Sequence, residues 1–323
     1  MVQVMQRLMV LALMLHASAA AFAQGYPSKP VRMIVGFPPG GGTDIVARVI
    51  SQRISEWWGQ AVAVENRPGA TGTIGADVVA KSAPDGYTLL MGHVNSHAIA
   101  PNLFKKMPYD PIKDFAAVAY VGYVPNVLAV HPSIPVRSMK ELIALAKSKP
   151  GVLNYASSGN GSTQHLAGEM FKQLTGTDIV HVPYKGSGDA IRDLLAGFVA
   201  MNFDTMPPVL EHVRSGKLRG LAISTQKRVP QLPDVPTFLE EGMTGFDVTN
   251  WYGVMAPAGV PKELVAKLNA DINKAMQVPE VRARLEQVGT QLKEQSAAEF
   301  EAYMKAEVSK YAKLVTDAGI RIE

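Results

Sequence analysis

The order of this chain constrains its fold more than any other feature. Apolar, strand-like runs lead into turns rich in glycine and hydroxyl residues, and these open amphipathic, helix-like runs. In the first case, residues 31–36 read as a buried strand, Pro38-Pro39-Gly40-Gly41-Gly42 as the turn and Thr43-Asp44 as the start of a helix. The body of that helix is predicted over 45–58, with Ile45, Val46, Val49, Ile50 and Ile54 on one face. Further strands are predicted at 61–65, 87–92, 118–121, 126–130, 152–156, 179–182, 199–204, 218–224 and 252–256. Helices are predicted at 163–174, 189–196 and 208–214. Ser138 and Glu141 form a capping box for a helix that ends before Lys149-Pro150-Gly151. In the tail, Pro261 suits a first helical turn, a second helix stops at Gly289, and Ser296 with Glu299 caps the last. Strands alternating with helices argue for an α/β fold of largely parallel sheets covered by helices.

The amino-terminal segment stands apart. Arg7 and the terminus carry positive charge, residues 8–15 are apolar, and Ala21-Phe22-Ala23 is a small-x-small cleavage site. This pattern predicts a secretory signal peptide over 1–23, cut after Ala23. The apolar run is well short of the ~20 residues a spanning helix needs, which argues against an uncleaved anchor. The mature chain is therefore expected to be exported and soluble. At ~100–200 residues per domain its length suits two domains. The sequence contains no cysteine, which excludes disulfides, thiolate metal sites and cysteine nucleophiles. The formal charge of +4 is spread thinly and no basic cluster interleaves with aromatics, so nucleic acid is not an expected partner.

Two more stretches repeat the design of the first turn. In "SSGNGSTQHLAGEMF", Ser157, Ser158, Gly159, Gly161, Ser162 and Thr163 lie between a strand and a helix. In "HVPYKGSGDAIRDLL", Tyr184, Lys185, Gly186, Ser187 and Gly188 do the same. Glycine lets the backbone approach a ligand closely. The first N–H groups of a helix lack internal partners and carry the positive end of its dipole. Such turns hold anions, or serve only as tight connections. Asp44 adds an ambiguity, because its carboxylate can cap the helix itself or meet an amino group or a water. Loops of this kind gather at the carboxyl ends of strands in open α/β sheets, where ligands bind. Three of them, drawn from both halves of the chain, suggest a cleft that grips a small anion through backbone N–H groups and hydroxyls. Three or four charged hydrogen bonds at ~1.5–3 kcal/mol each supply about 8 kcal/mol, about micromolar affinity, without any catalytic step.

Enzymatic motifs are missing. No phosphate-binding P-loop and no complete G-x-G-x-x-G occurs, since Gly40-x-Gly42 meets Ile45 and Gly159-x-Gly161 meets Gln164. There is no nucleophile elbow. His93 and His97 are four apart but lack the glutamate of a zinc protease, and no metal or cofactor is expected. Ser162 and His165 share one helical turn, which reads either as a cap or as a hydrolase dyad. Asp204 ends a strand and either faces the cleft or does not. Trp57-Trp58 reads as packing, and Trp251-Tyr252 as packing or as an aromatic wall for the ligand.

Several strings resemble one known family: "YPSKPVRMIVGFPPGGGTDIVAR", "VENRPGATGTIGADVVAKSAPDGYTLL", "NYASSGNGSTQHLAGEMF", "HVPYKGSGDAIRDLLAG", "LPDVPTFLEEG" and "WYGVMAPAGVP". They are similar to the periplasmic substrate-binding proteins of tripartite tricarboxylate transporters, the Bug family of extracytoplasmic solute receptors, over essentially the whole mature chain. The resemblance implies a two-domain periplasmic-binding-protein fold, type II-like, with two crossover strands, closing on its ligand like a flytrap. It implies a first domain at 24–125 plus 250–323, carrying the carboxy-terminal helices, and a second at 126–249. It implies a periplasmic monomer without enzymatic activity that binds a small organic carboxylate and delivers it to membrane transporter subunits. A ligand receptor for a signalling system is the alternative, and a secreted hydrolase a more remote one. By motif position the implied ligand-binding residues are Gly41, Gly42, Thr43, Ser158, Gly159, Ser162, Thr163, Lys185, Gly186 and Asp204. The loop "GHVNSHAIAP" carries two histidines, and one facing the cleft would add a hydrogen bond or a pH-sensitive charge.

Overall fold

The computed structural model describes residues 25–246 and 248–317; the expected signal peptide, residues 1–23, lies outside the described residues. The first strand, β1 (Val31–Val35), feeds the glycine turn and helix α1 (Gly42–Trp58). Strands β2 (Val62–Asn66) and β3 (Thr88–His93) flank β1 in parallel register. The helix α2 (Thr73–Ala80) between them was not legible in the sequence. Its Gly75 and β-branched residues are poor helix formers. Gly75 is needed there because any Cβ would strike the backbone of Gly36. A π-helical turn (Asn95–Ile99) and a short helix α3 (Ala100–Leu103) follow β3.

The centre of the molecule is β4 (Phe115–Val130), a single strand where two were predicted. Gly122 and Pro125 suggest a break in sequence, but tertiary pairing carries the strand through both. Residues 115–125 pair with the antiparallel β9 (Thr249–Pro257), and the last of these pairs joins Pro125 to Thr249. At the next residue, Asn126, β4 passes to β7 (Met201–Thr205), with β8 (Arg219–Ile223) pairing from Val127. The strand order β2-β1-β3-β9-β4-β7-β5-β6 is thus continuous across two lobes. In the second lobe β5 (Asn154–Ser157) pairs in parallel with β6 (Val180–Pro183) and β7. Helices α4 (Met139–Ser148), α5 (Thr163–Thr175), α6 (Ser187–Leu195) and α7 (Met206–Arg214) pack around that half.

After β9 the chain stays with the first lobe. Helix α8 (Lys262–Gln277) packs on β4 and α1, and α9 (Pro279–Gln287) leads to β10 (Gln291–Leu292), which pairs with Gly122 and Tyr123 of β4. The last helix, α10 (Ala297–Asp317), lies along β4 and the π turn. Both sequence-read capping boxes form: Ser138 accepts from the Glu141 N–H, and Ser296 from the Glu299 N–H. Two crossover strands, β4 and β9, therefore join two α/β lobes. Each lobe aims the carboxyl ends of its parallel strands at the gap between them.

Candidate functional site

The first loop reaches the gap from β1. Gly41 caps α1 in an extended conformation, without a side-chain cap. The N–H groups of Gly42, Thr43 and Asp44 precede the first intrahelical bond, Ile45 N–H to Gly41 C=O. Asp44 does not fill the anion position. Its carboxylate accepts from the Gly40 N–H at 3.0 Å, from Arg48 at 2.9 Å and from Asn66 at 2.9 Å, so it fastens the loop to its own lobe. Burial opposes its ionisation, but the bonds from Arg48, Gly40 and Asn66 together outweigh burial and lower its pKa. No Cβ fits at position 42, where it would strike the Tyr252 hydroxyl and crowd Thr205 Oγ1.

The second loop enters from β5. Ser158 donates to Gln164 Oε1 at 2.9 Å. Ser162 is the N-cap of α5 and accepts from the His165 backbone N–H at 3.2 Å. The His165 ring is turned elsewhere: Nδ1 accepts from the Gly161 N–H, and the ring stacks on His181 at 4.0 Å. The bond between Ser162 and His165 is thus a capping bond from backbone. Thr163 bridges to the other side of the gap. Its N–H donates to Asn95 Oδ1 at 3.1 Å, and its hydroxyl to Asn250 Oδ1 at 2.6 Å. Asn250 in turn donates to Asn126, tying the loop to both crossover strands.

Asp204, at the end of β7, is fully buried. It accepts from Gln164 at 3.0 Å, Ser187 at 2.8 Å, Asn202 at 3.0 Å and the Thr205 N–H at 2.7 Å, all neutral donors. Burial raises its pKa, and the bonds from Ser187, Gln164 and Thr205 offset this only in part. Asp204 therefore orients the side chains around the cavity from behind.

Between the loops lies an inner cavity of ≈ 20 Å³, lined by Gly41, Gly42 and Thr43 from one side and Ser158, Gln164, Ser187 and Thr205 from the other. His93, Asn95 and Tyr252 close its base. The Tyr252 hydroxyl is buried there beside the Thr205 side chain, without a hydrogen bond of full geometry. His93 Nδ1 accepts from the Asn95 N–H, so the neutral ring carries its proton on Nε2. Burial, and then the neighbouring His97, push the His93 pKa down to about 3, so it serves as a neutral group rather than a charge switch near neutral pH. His97 does not reach the cavity; it packs on Phe115 and Tyr109. An outer cavity of ≈ 740 Å³ shares Phe37, Pro38 and Ser158 with the inner one. Pro68, Phe104, Gly159, Asn160, Tyr184 and Lys185 also line it. The lobes already touch across the gap: Thr71 donates to the Asn160 carbonyl at 2.8 Å, and Gly186 abuts the Pro38 ring.

The structure places Gly41, Gly42, Thr43 and Ser158 on the inner cavity and Gly159 and Lys185 on the outer one. Ser162, Thr163, Gly186 and Asp204 stand directly behind these surfaces. Asn95, Gln164, Ser187 and Thr205 also line the inner cavity and are not among the residues that the motifs imply. Gln164 and Thr205 each follow an implied residue, and that adjacency is the available signal. The Trp251-Tyr252 pair splits: Tyr252 meets the cavity, whereas Trp251 packs on Phe300 and Tyr303 of α10. Among the described residues no cluster of side chains suits a metal ion, and no helix is long and apolar enough to cross a membrane.

Two α/β lobes, two crossover strands and a donor-lined gap define the chain as a two-domain binding protein of the periplasmic-binding-protein fold. Residues 46–320 match the family described as tripartite tricarboxylate transporter family receptor, and the chain belongs to that family. It is 40% identical to protein BugT of Bordetella pertussis over 307 residues, 95% of this chain and 94% of that one. Among solved structures, Rpa4515 of R. palustris with adipate matches with a TM-score of 0.89 and 38% identity, covering 92% of this chain and 99% of that one. MatC (Rpa3494) from Rhodopseudomonas palustris with bound malate matches with a TM-score of 0.85 and 35% identity, covering 90% and 100%. Fold and family are those of binding proteins rather than enzymes.

Proposed function

We propose that this chain is a periplasmic, monomeric solute receptor that binds a small organic carboxylate between its lobes and delivers it to a tripartite tricarboxylate-type membrane transporter. The observation that carries the reading is the convergence of neutral donors on the inner cavity. The free N–H groups of Gly42 and Thr43 and the Tyr252 hydroxyl meet there, beside the Ser158 hydroxyl that a ligand would have to draw from Gln164, and no lysine, arginine or carboxylate lines the cavity. Such a set suits a carboxylate, because backbone N–H groups at a helix start favour negative charge.

A cavity of ≈ 20 Å³ has room for about one water, so a ligand enters only when the lobes part. On reclosing, its carboxylate occupies the inner cavity and its carbon body extends along Phe37, Pro38, Pro68 and Phe104. Lys185 stands at the outer wall for a second negative group, and the Asp189 carboxylate on the same wall is paired with Arg192. The outer volume of ≈ 740 Å³ falls within the ~300–1,000 Å³ usual for small-molecule sites. We place the lobes at 24–125 with 250–323, and at 126–249, because β4 changes partner at Pro125–Asn126. Relatives with adipate and malate support the carboxylate class, and the Ser162–His165 contact, a backbone cap rather than a side-chain dyad, removes the hydrolase pair that the sequence offered.

Calorimetric titration of the mature chain with adipate, malate and related carboxylates is the test. A one-site isotherm of about micromolar affinity is expected for at least one of them. A flat response across di- and tricarboxylates, with protein unfolded and refolded to remove any bound ligand, would sink the carboxylate reading. Restored uptake of the bound acid in cells lacking the receptor, dependent on the membrane subunits, would separate transport from signalling.

A further inference from the structure

A third cavity lies on the opposite face of the crossover strands from the ligand gap. Alternate residues of a strand face opposite ways. On β9, Asn250 and Tyr252 face the gap between the lobes. Thr249 and Trp251 face the rear, where Trp251 meets α10. The rear cavity has a volume of ≈ 520 Å³. Its first-lobe wall is built by Tyr120 and Tyr123 of β4, Lys293 after β10 and Tyr303 of α10. Its second-lobe wall is the loop after β8, with Thr225 and Lys227. The cavity therefore spans both lobes across the hinge.

Its chemistry is one-sided. No carboxylate lines it, and two ammonium groups do, one from each lobe. Arg228 also lines it, but its guanidinium is committed to Glu240. Lys293 senses Glu299 electrostatically, but neither Lys227 nor Lys293 is among the salt-bridged lysines of the described residues. Two like charges held across one cleft repel each other unless an anion lies between them. The tyrosine rings supply flat walls, and Tyr120 and Tyr303 meet edge to face at 5.0 Å. The volume is that of a small-molecule site.

We propose that this rear cleft is a second ligand site, for a flat organic anion such as an aromatic carboxylate or sulfonate, whose occupancy favours closure of the front cleft. The direction of coupling follows from the hinge. With β4 and β9 as the axis, rotation that parts the front walls brings the rear walls together. The rear cavity is open while the front is closed, as in this structure. An occupant that fits the open rear resists the opening of the front. By linkage, a front ligand then raises rear affinity by the same factor.

Naphthalene-2-sulfonate is the probe, followed by fluorescence titration with and without saturating adipate. The wild type should bind the probe, and K227A/K293A should bind it at least about tenfold more weakly. The same double variant should bind adipate within about twofold of wild type when the probe is absent, because charges this exposed repel only weakly in salt. Gly42→Ala, which holds the front walls apart, should still bind the probe, but more weakly than wild type by the coupling between the two sites. Saturating probe should raise adipate affinity about threefold or more, within the usual range of coupling between sites. The idea is overturned if K227A/K293A binds the probe as well as wild type, if adipate displaces the probe competitively, or if no binding is detected. Should adipate itself fail to bind, the front reading falls, while the probe titration of wild type against K227A/K293A still decides the rear site.

Discussion

Two aspartates hold the two glycine-rich loops in place, and their surroundings act on them in opposite directions. Asp44 lies at the start of α1 with Arg48 one turn on, and the guanidinium with two further donors keeps it ionised. Asp204 lies behind the second loop with neutral donors only, and burial raises its pKa. The first loop is thus fastened within its own lobe and is formed before closure. The second depends on partners across the gap, because Thr163 bonds to Asn95 and Asn250. One wall is fastened within its own lobe alone, and the other also bonds across the gap.

The largest expected effect breaks the point where the two walls touch. Gly42→Ala places a methyl group against Tyr252 and Thr205 and should hold the lobes apart. Overpacking of this kind costs ~1–3 kcal/mol, so carboxylate affinity should fall by up to about a hundredfold, read by calorimetry on a variant with wild-type circular dichroism. An unchanged affinity would place the ligand elsewhere. Next is Asp204→Asn, which leaves buried donors facing an amide; at ~1–3 kcal/mol for an unsatisfied group, urea unfolding should show a loss of about 2–3 kcal/mol.

The same comparison has a signature in pH. The raised pKa of Asp204 means that its contribution to stability is full below the unfolded value of about 3.9 and is lost as pH rises through the folded value. The lowered pKa of Asp44 means the reverse: its contribution is full above about 3.9 and is lost as pH falls through the folded value. The stability advantage of wild type over Asp204→Asn should therefore shrink as pH rises, and that over Asp44→Asn should shrink as pH falls. Parallel slopes in the two series would contradict the contrast. The smallest effect is at the latch. Thr71→Ala removes one exposed bond across the mouth, worth ~0.5–1.5 kcal/mol, and should raise the ligand dissociation rate about two- to tenfold.

Much of this was legible in the chain. Local rules suffice for the glycine turns and the caps at Ser138 and Ser296, because each depends on residues a few positions apart, and they single out Gly41, Gly42, Thr43 and Ser158, which line the inner cavity. The misses share a cause. Gly122 and Pro125 punctuate β4 so that local rules divide it in two, and only pairing with β9, β7 and β10 carries it through. The π turn at Asn95–Ile99 has no strong local signal, yet it delivers Asn95 to the second loop. Nothing in the string "NWYG" says that Tyr252 faces the ligand gap while Trp251 faces α10, because the pleat alternates but the burying surfaces come from elsewhere in the chain.

The sequence by itself determined the α/β alternation and the turns of glycine and hydroxyl residues that open helices, which follow from short-range spacing, and it carried the motif strings by which it resembles the family. Only the tertiary structure decided which side chains share the cavity, that Asp44 is fastened and ionised while Asp204 is buried among neutral donors, and that the hinge has a front and a rear. These depend on residues brought together from distant parts of the chain, and on burial that no single segment carries.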